Sequence, residues 1–371
     1  MNNDKTSGIN SGMYNGTKSG MNGLPKVVEH VMTEPDLTYQ FGGRYPIADV
    51  LPGQVLRTST EDCFSGAVRT VDDLPSKVCQ QFNPVTGPFR VPGAEPGDTL
   101  ALHFVELRPA RDWGMSAVFP HFGALTRTHA TAMLHPPLPE IVWRYDIDTT
   151  AGVVRYQARR GDYTVELPLD PMLGTVGVAP AGDEVRLSID VAAHGGNLDT
   201  PQLRAGTTLY LPVNVPGAMF CLGDGHARQG QGEVCGVGVE TAMHVTVAVD
   251  VINGVQTPVP RIETDHQLIS IGAARPLEDA FRISQHDLVT WTAQLTGLDT
   301  LDAYQLISQA GRAAPGNVCD PNYTMHAAID TAVLHGVTGY DGIHQRLRDL
   351  AHALPAELFG NTPATPARTM R

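Results

Sequence analysis

The sequence predicts a mainly β fold, with a β-sandwich or barrel-like core and a few helices that lie mostly near the C-terminus. Three observations support this prediction. Apolar and polar residues alternate with a period of two in several segments, as in VTVAVDV at 245–251. Pro-Gly pairs punctuate these segments as turns. Helical periodicity is confined to the C-terminal part of the chain.

Seven segments carry the pattern of short β-strands. The segment 207–215 contains an internal proline, which indicates an edge strand or a bulge. In chain order, the predicted strands are 98–107, 140–146, 152–158, 162–167, 185–191, 207–215 and 245–251. Their spacing favours a β-rich core over a parallel α/β sheet.

A helix is predicted over 301–308, where apolar residues recur at i, i+3 and i+5. Asp299 or Thr300 would cap its start, and Gly311 would end it. Two further helices are predicted over 324–335 and 340–353. The helical part of the chain is therefore expected at about 297–355.

We expect one β-rich domain over residues 25–359. The preceding segment 1–24 is rich in Gly, Ser and Asn, and both it and the last segment, 360–371, are predicted to be flexible tails. The N-terminal segment lacks the apolar stretch of a secretory signal, which favours a cytoplasmic location.

Composition excludes several classes of partner. The chain has 371 residues, a formal net charge of −13, 42% hydrophobic and 18% charged residues. The acidic excess argues against nucleic-acid binding, and no apolar run is long enough for a membrane helix. The five cysteines are odd in number, and no two stand in a C-x-x-C spacing, which argues against a zinc ribbon or a thioredoxin-like site.

The distribution of lysine excludes several catalytic mechanisms. The four lysines are Lys5, Lys18, Lys26 and Lys77, and none follows residue 77. No Gly-Lys pair is present, so a P-loop is excluded. Amide hydrolases of the Ser-Ser-Lys and Cys-Glu-Lys types, Schiff-base chemistry and pyridoxal chemistry all need a lysine in the interior of the catalytic domain, whereas Lys26 and Lys77 lie toward its start.

Two glycine-rich segments combine the side chains that a catalytic or metal site needs. They are 193–200 (AHGGNLDT), after one predicted strand, and 223–233 (GDGHARQGQGE), after another. Glycine allows sharp turns that bring short polar side chains together. Their histidine and carboxylate side chains are zinc-type ligands. Either segment alone could equally be a structural turn.

The region 194–240, which begins HGGNLD and continues through GDGHARQGQGE, resembles the signature region of the acetamidase/formamidase family. The resemblance extends over roughly 35–325, through elements such as DWG at 112–114 and CDPN at 319–322. It implies a β-rich fold, hydrolysis of short-chain amides to ammonia and a carboxylate, a homo-oligomer, and a divalent metal ion, with zinc as the expected metal.

Without a lysine or a Gly-x-Ser-x-Gly elbow, amide hydrolysis most naturally uses a metal-activated water. A nearby carboxylate would protonate the departing nitrogen. The predicted metal ligands are His194, Asp199, Asp224 and His226. Asn197 would orient a ligand or the substrate carbonyl, and Glu233 is the predicted general acid and base, although an ion-paired or loop-capping role is also open.

The sequence also suggests roles for several residues outside the predicted ligand set. Gln229 is predicted to bond the substrate amide, with an exposed loop residue as the alternative, and His121 is predicted to line the pocket. Glu61 matches an acidic position of the family and is given a supporting catalytic role. Glu240 and His244 share a strand face, where cross-strand packing is favoured over a site role.

Two departures from the family pattern concern the substrate. Gln231 stands where we expect an acid, and the segment 340–354 looks like an extension beyond the family's usual end. Three hypotheses therefore remain: a metal-dependent hydrolase of formamide, acetamide or a related small amide; a family member adapted to a larger or cyclic amide in a biosynthetic pathway; and a non-catalytic β-rich binding protein.

Overall fold

The computed structural model describes residues 25–126 and 137–359. The two predicted tails, 1–24 and 360–371, lie outside the described residues. Strand accounts for 37% of the structure and helix for 18%, so the predicted mainly β class is confirmed. The sheets are open, so the core is sandwich-like and not a closed barrel.

The strands of the first half are β1 Val27–Glu29, β2 Leu37–Thr38, β3 Gln40–Phe41, β4 Ala48–Asp49, β5 Gln54–Thr60, β6 Val85–Arg90, β7 Thr99–Pro109, β8 Trp113–Val118, β9 Ile141–Asp148, β10 Val153–Gln157 and β11 Thr164–Pro168. Those of the second half are β12 Met172–Gly177, β13 Arg186–Leu187, β14 Val191–Ala192, β15 Gly195–Asn197, β16 Thr208–Pro212, β17 Phe220–His226, β18 Met243–Ile252, β19 Arg261–Glu263, β20 Gln267–Ala274, β21 Arg312–Pro315 and β22 Tyr323–Asp330.

The α-helices are α1 Pro75–Val78, α2 Leu277–Thr296, α3 Thr300–Ala310 and α4 Ile343–His352. Short 3₁₀ turns occupy Glu34–Asp36, Thr331–Leu334, Tyr340–Gly342 and Ala356–Leu358. Asp299 caps α3 as predicted, because its carboxylate accepts the backbone N–H of Leu301. Among the described residues, no helix combines the length and the apolar composition that crossing a membrane requires.

Two large sheets enclose the main core. The first has nine strands in the order β1-β5-β18-β7-β16-β19-β20-β22-β21, and the second contains the path β14-β15-β12-β17-β6-β2, with β4 beside β6. Leu102 and Val247 of the first sheet pack with Leu173, Val176 and Leu222 of the second in one buried cluster. Burial of this apolar surface is the main force that holds the two sheets together.

Two smaller sheets complete the fold. Strands β11-β10-β9-β8 form a four-stranded sheet, and β13 pairs with β3. The four-stranded sheet is joined to the core at Glu240, whose backbone bridges to Met115 of β8 and to His226 of β17. Glu240 therefore lies where two sheets meet, and its backbone is held on both sides.

Among the elements that the sequence missed or misassigned, three have a physical reason. Residues 324–335 are not a helix, because β22 lies between β20 and β21 and is buried along most of its length, which removes the alternation typical of strands. The 20-residue helix α2 was not predicted, since its buried face includes the polar residues Ser284, Asp287 and Thr292. The predicted strand 185–191 is only the two-residue β13 and the start of β14, separated by a turn.

Candidate active site

Strand β12 brings the two glycine-rich segments together. It pairs with β15 on one edge and with β17 on the other, and Thr175 lies opposite both Asn197 and Gly223. Asp199 follows β15 and Asp224 lies on β17, so their carboxylates converge over Gly174. A β-carbon at residue 174 would overlap one oxygen of each carboxylate, and glycine therefore keeps this space open.

His226 lies at the centre of the site and is fully enclosed. Its Nε2 lies 3.2 Å from Oδ1 of Asp224 and 3.1 Å from Oε1 of Glu240. Its Nδ1 lies 2.8 Å from Oε1 of Gln229. Burial disfavours a charge on the ring, but the carboxylates of Glu240 and Asp224 outweigh this and raise the pKa of His226 well above its usual value.

Three groups of side chains have the composition and spacing of cation ligands. One potential ligand atom per residue lies within 4.8 Å of the others in each group. The groups are Asp199, His226 and Glu233; Glu233, Cys319 and Asp320; and Cys63, Asp224 and Glu240. Glu233 belongs to two of these groups, and His226 contacts Asp224 and Glu240 of the third, so the three form one continuous cluster and not separate sites.

Asn83, Thr175 and Asn197 form a hydrogen-bonded network that contacts two carboxylates of the cluster. Nδ2 of Asn197 donates to Oδ2 of Asp320 at 2.7 Å, and Oδ1 of Asn197 accepts from Nδ2 of Asn83 at 2.8 Å. Oγ1 of Thr175 contacts Oδ1 of Asn197 and lies 3.1 Å from Oδ2 of Asp224. Asn197 thus holds the carboxylate of Asp320, which is not one of the ligands predicted from the sequence.

The cluster carries an unusual excess of buried acid. Its five carboxyl groups, all at most 7% exposed, are Asp199, Asp224, Glu233, Glu240 and Asp320. Within the described residues, His226 is the one basic side chain that forms an ion pair with any of them. Removing so many carboxylates from water without balancing positive charge is very costly.

The acid excess shifts the proton equilibria of the site. Burial, together with the neighbouring carboxylates Asp320 and Asp224, raises the pKa of Asp199 well above its usual value. Burial and Asp199 do the same to the pKa of Glu233. Burial raises the pKa of Glu240 to about 7. Without a bound cation, some of these carboxyl groups therefore hold protons, which a cation would replace.

Buried carboxylate oxygens without a hydrogen-bond partner indicate where a cation would bind. Both carboxylate oxygens of Asp199 and Oε2 of Glu240 are buried without a hydrogen-bond partner. Buried carboxylate oxygens are nearly always paired in folded proteins. The two carboxylates that converge over Gly174, the unpaired oxygens and the neighbouring imidazole and thiol donors are therefore suited to a divalent ion such as zinc.

Not all of the predicted residues lie in the cluster. His194 packs its ring against Phe41, with 5.2 Å between the ring centroids, and belongs to none of the three cation groups formed by the described residues. Glu61 pairs with Arg111, which also binds Asp62. His121 is exposed. The structure therefore brings together Asp199, Asp224, His226, Gln229 and Glu233, with Asn197 directly behind them.

Other cluster members were missed by sequence reasoning. Glu240 was assigned to cross-strand packing, yet its Oε1 contacts the central histidine. Asp320 and Cys319 belong to the CDPN element noted in the resemblance, which was the one available signal for them. The cysteine thiols are not activated: burial raises the pKa of Cys63 and Cys319, which argues against a thiolate nucleophile.

Comparison with known proteins identifies the family. The sequence model of the Acetamidase/Formamidase family matches residues 45–188 and 174–334. The chain belongs to this family. The crystal structure of an acetamidase from Yersinia enterocolitica is 39% identical, with a TM-score of 0.77, over 83% of this chain and 94% of that one. This confirms the family resemblance and the fold that it implies.

Two curated members of the acetamidase/formamidase family are more distant. An acetamidase of Mycolicibacterium smegmatis is 26% identical over 262 residues, which are 56% of this chain. A formamidase of Methylophilus methylotrophus is 26% identical over 265 residues, or 57% of this chain. The matches span 63% and 64% of these relatives, somewhat less than two thirds of their length.

Proposed function

We propose that this acetamidase/formamidase family member hydrolyses the C–N bond of a small linear amide, of the formamide or acetamide type, to ammonia and a carboxylate. The names of its relatives support the reaction class. The observation that carries the proposal is the buried cluster around Asp199, whose two carboxylate oxygens have no partner and lie beside His226 and Glu233.

A divalent ion, which we propose to be zinc, would be held by carboxylates and imidazole of this cluster. Asp199, Asp224, His226 and Glu240 are the residues with suitable donor atoms and unsatisfied or mutually close oxygens. When bound, such an ion supplies Lewis acidity, which polarises a carbonyl and makes a water molecule acidic near neutral pH.

Glu233 is the residue we propose for proton transfer. Its carboxyl group is buried beside Asp199, which raises its pKa in the cation-free protein, whereas the positive charge of a bound ion would favour the carboxylate, the form that can take a proton. Its Oε2 accepts the Sγ–H of Cys319 at 3.5 Å. A carboxyl group that takes a proton during attack and returns it to the departing nitrogen meets the main chemical need of amide cleavage, since an unprotonated amide nitrogen leaves poorly.

Asn197 acts on the reaction through Asp320. Its amide is fixed at both ends, by Asn83 and by Asp320, so its nitrogen donates to a cluster carboxylate and its oxygen faces away from that carboxylate. In this arrangement Asn197 holds Asp320 in place and is not available to bind a substrate carbonyl. We therefore propose the orienting role for Asn197, one of the two roles predicted from the sequence.

The test measures amide turnover by the purified protein with formamide, acetamide and the lactam 2-pyrrolidinone. We expect ammonia from a linear amide, loss of activity after chelation, and recovery when Zn²⁺ is restored. Ring opening of the lactam without ammonia release would favour a cyclic substrate instead. Turnover of none of the three, with metal bound, would contradict a small-amide hydrolase and favour a non-catalytic binding protein.

A further inference from the structure

Gln229 has a carboxamide whose orientation is decided by its surroundings. Its Nε2 lies 2.7 Å from the carbonyl oxygen of Asp199 and 3.2 Å from that of Gly316. Carbonyl oxygens only accept hydrogen bonds, so the donating nitrogen of the amide must face them. The reverse orientation would bury the amide oxygen against two acceptors, in a side chain that is only 9% exposed.

This orientation assigns the proton on the neighbouring imidazole. With its nitrogen committed to the two carbonyls, Gln229 presents Oε1 to Nδ1 of His226 at 2.8 Å. An amide oxygen can only accept, so Nδ1 must be the donor and must carry a hydrogen. The other ring nitrogen, Nε2, faces Asp224 and Glu240 at 3.2 and 3.1 Å.

We propose that Gln229 is a positioning residue: it holds a proton on Nδ1 of His226 and so presents Nε2 to a divalent cation. The inference rests on the proposed function for the cation, while the position of the proton follows from the hydrogen bonds alone. It replaces the substrate-binding role that the sequence suggested, because both ends of the Gln229 amide are already engaged by the protein.

The physical consequence is a fixed ligand tautomer. A histidine that donates one ring N–H to an acceptor is held in orientation, and its second nitrogen becomes a better metal ligand. Gln229 also links this histidine to the backbone of Asp199, which is in the same cation group. The side chain of Gln229 therefore couples the position of His226 to that of Asp199, and both residues are proposed ligands.

The experiment compares Zn²⁺ affinity, measured by competition with a chelator, in three glutamine variants. Gln229→Met keeps the length of the side chain but removes the acceptor, and we expect its affinity to fall by about 10- to 100-fold. Gln229→Glu keeps an acceptor for Nδ1–H but can still donate to the carbonyls of Asp199 and Gly316 only when protonated, so we expect a smaller loss of affinity than in Gln229→Met. Gln231→Met is the matched control, since Gln231 is exposed in the same loop. Equal affinity of Gln229→Met and the wild type would overturn the inference.

A second readout follows the proton directly and also applies when no metal binds. In protein with ¹⁵N-labelled histidine, the structure predicts a hydrogen on Nδ1 of His226, both with Zn²⁺ and without it. An Nδ1 that carries no hydrogen, or that binds the metal, would overturn the inference. A wild type that keeps the Nδ1–H signal but binds no divalent metal would contradict the proposed function and the presentation of Nε2 to a cation, and would leave only the assignment of the Nδ1 proton.

Discussion

Asp199 follows strand β15 and Asp224 lies on strand β17, yet each places a carboxylate oxygen within 2.4 Å of the point where a β-carbon on Gly174 would lie. The two acids are 25 residues apart in the chain, and β12 brings them together because it pairs with both β15 and β17. This meeting of two carboxylates over a residue without a side chain places two of the proposed cation ligands side by side.

Gly174→Ala should therefore damage the site specifically. The added methyl group overlaps Oδ1 of Asp199 and Oδ2 of Asp224, and we expect a loss of stability of about 1–3 kcal/mol together with at least tenfold weaker Zn²⁺ binding. Thermal unfolding and chelator competition measure the two effects. Gly230→Ala is the control, because a methyl group there meets no atom within 4 Å. Unchanged metal affinity in Gly174→Ala would show that the space above Gly174 is not used.

Glu233→Gln should remove the group that exchanges protons with the substrate. The amide is nearly isosteric and relieves repulsion with Asp199, so the protein should fold normally. We expect kcat for acetamide to fall by about 100- to 10,000-fold. Glu278→Gln makes the same change at an exposed position on α2 and should retain full activity. Full activity of Glu233→Gln would rule out the proposed proton transfer.

Part of the site could be predicted from sequence because it is local in the chain. The segments 193–200 and 223–233 supply Asp199, Asp224, His226 and Glu233, although Asp224 and His226 lie on strand β17 and not in a loop after it. Asp320 could not be placed, since it reaches Asn197 across 123 positions and only tertiary structure brings the two together. The predicted ligand His194 is close to Asn197 in sequence, but its ring packs on Phe41.

The same holds for the fold: elements with a local sequence pattern could be predicted, and elements that depend on contacts with distant residues could not. The strand β18 could be predicted, because Val245, Val247 and Val249 point into the main core in regular alternation. Helix α2 could not, because Asp287 on its buried face is neutralised by Arg261 from β19. A polar residue in that position hides the apolar stripe on which the prediction of a helix depends.

The ion pair between Arg261 and Asp287 should be important for stability. Both side chains are 4% exposed, and the carboxylate accepts two guanidinium N–H groups at 2.8 and 2.6 Å. Asp287→Asn leaves a buried guanidinium without its counter-charge, and we expect a loss of about 3–5 kcal/mol in the free energy of unfolding. Asp279→Asn breaks an exposed pair on the same helix and should cost less than about 1 kcal/mol. Equal effects of the two variants in denaturant unfolding would contradict this ranking.

Stability should fall as the solution becomes acidic, partly because of His103. Burial lowers the pKa of His103 to about 3, so the folded protein keeps the ring neutral while the unfolded chain protonates it below about pH 6.5. The stabilisation is complete above pH 6.5 and is lost as the pH falls toward 3. Between pH 7 and 5, this one histidine should account for about 2 kcal/mol.

The variant His103→Asn tests that contribution. Its unfolding free energy should depend less steeply on pH over this interval than that of the wild type, whatever its absolute stability. His266→Asn, at an exposed histidine, should keep the wild-type slope. The same slope for His103→Asn and the wild type would show that His103 does not contribute.

The metal content of the purified protein, compared with that of Asp199→Asn, tests the proposed cation site most directly. We expect a stoichiometric divalent ion in the wild type, its loss in the variant, and amide hydrolysis that disappears with the metal. The variant should remain folded, because an amide relieves the repulsion among the buried carboxylates. Amide hydrolysis by a wild-type protein that contains no divalent metal, and that is unaffected by chelators, would contradict the central claim.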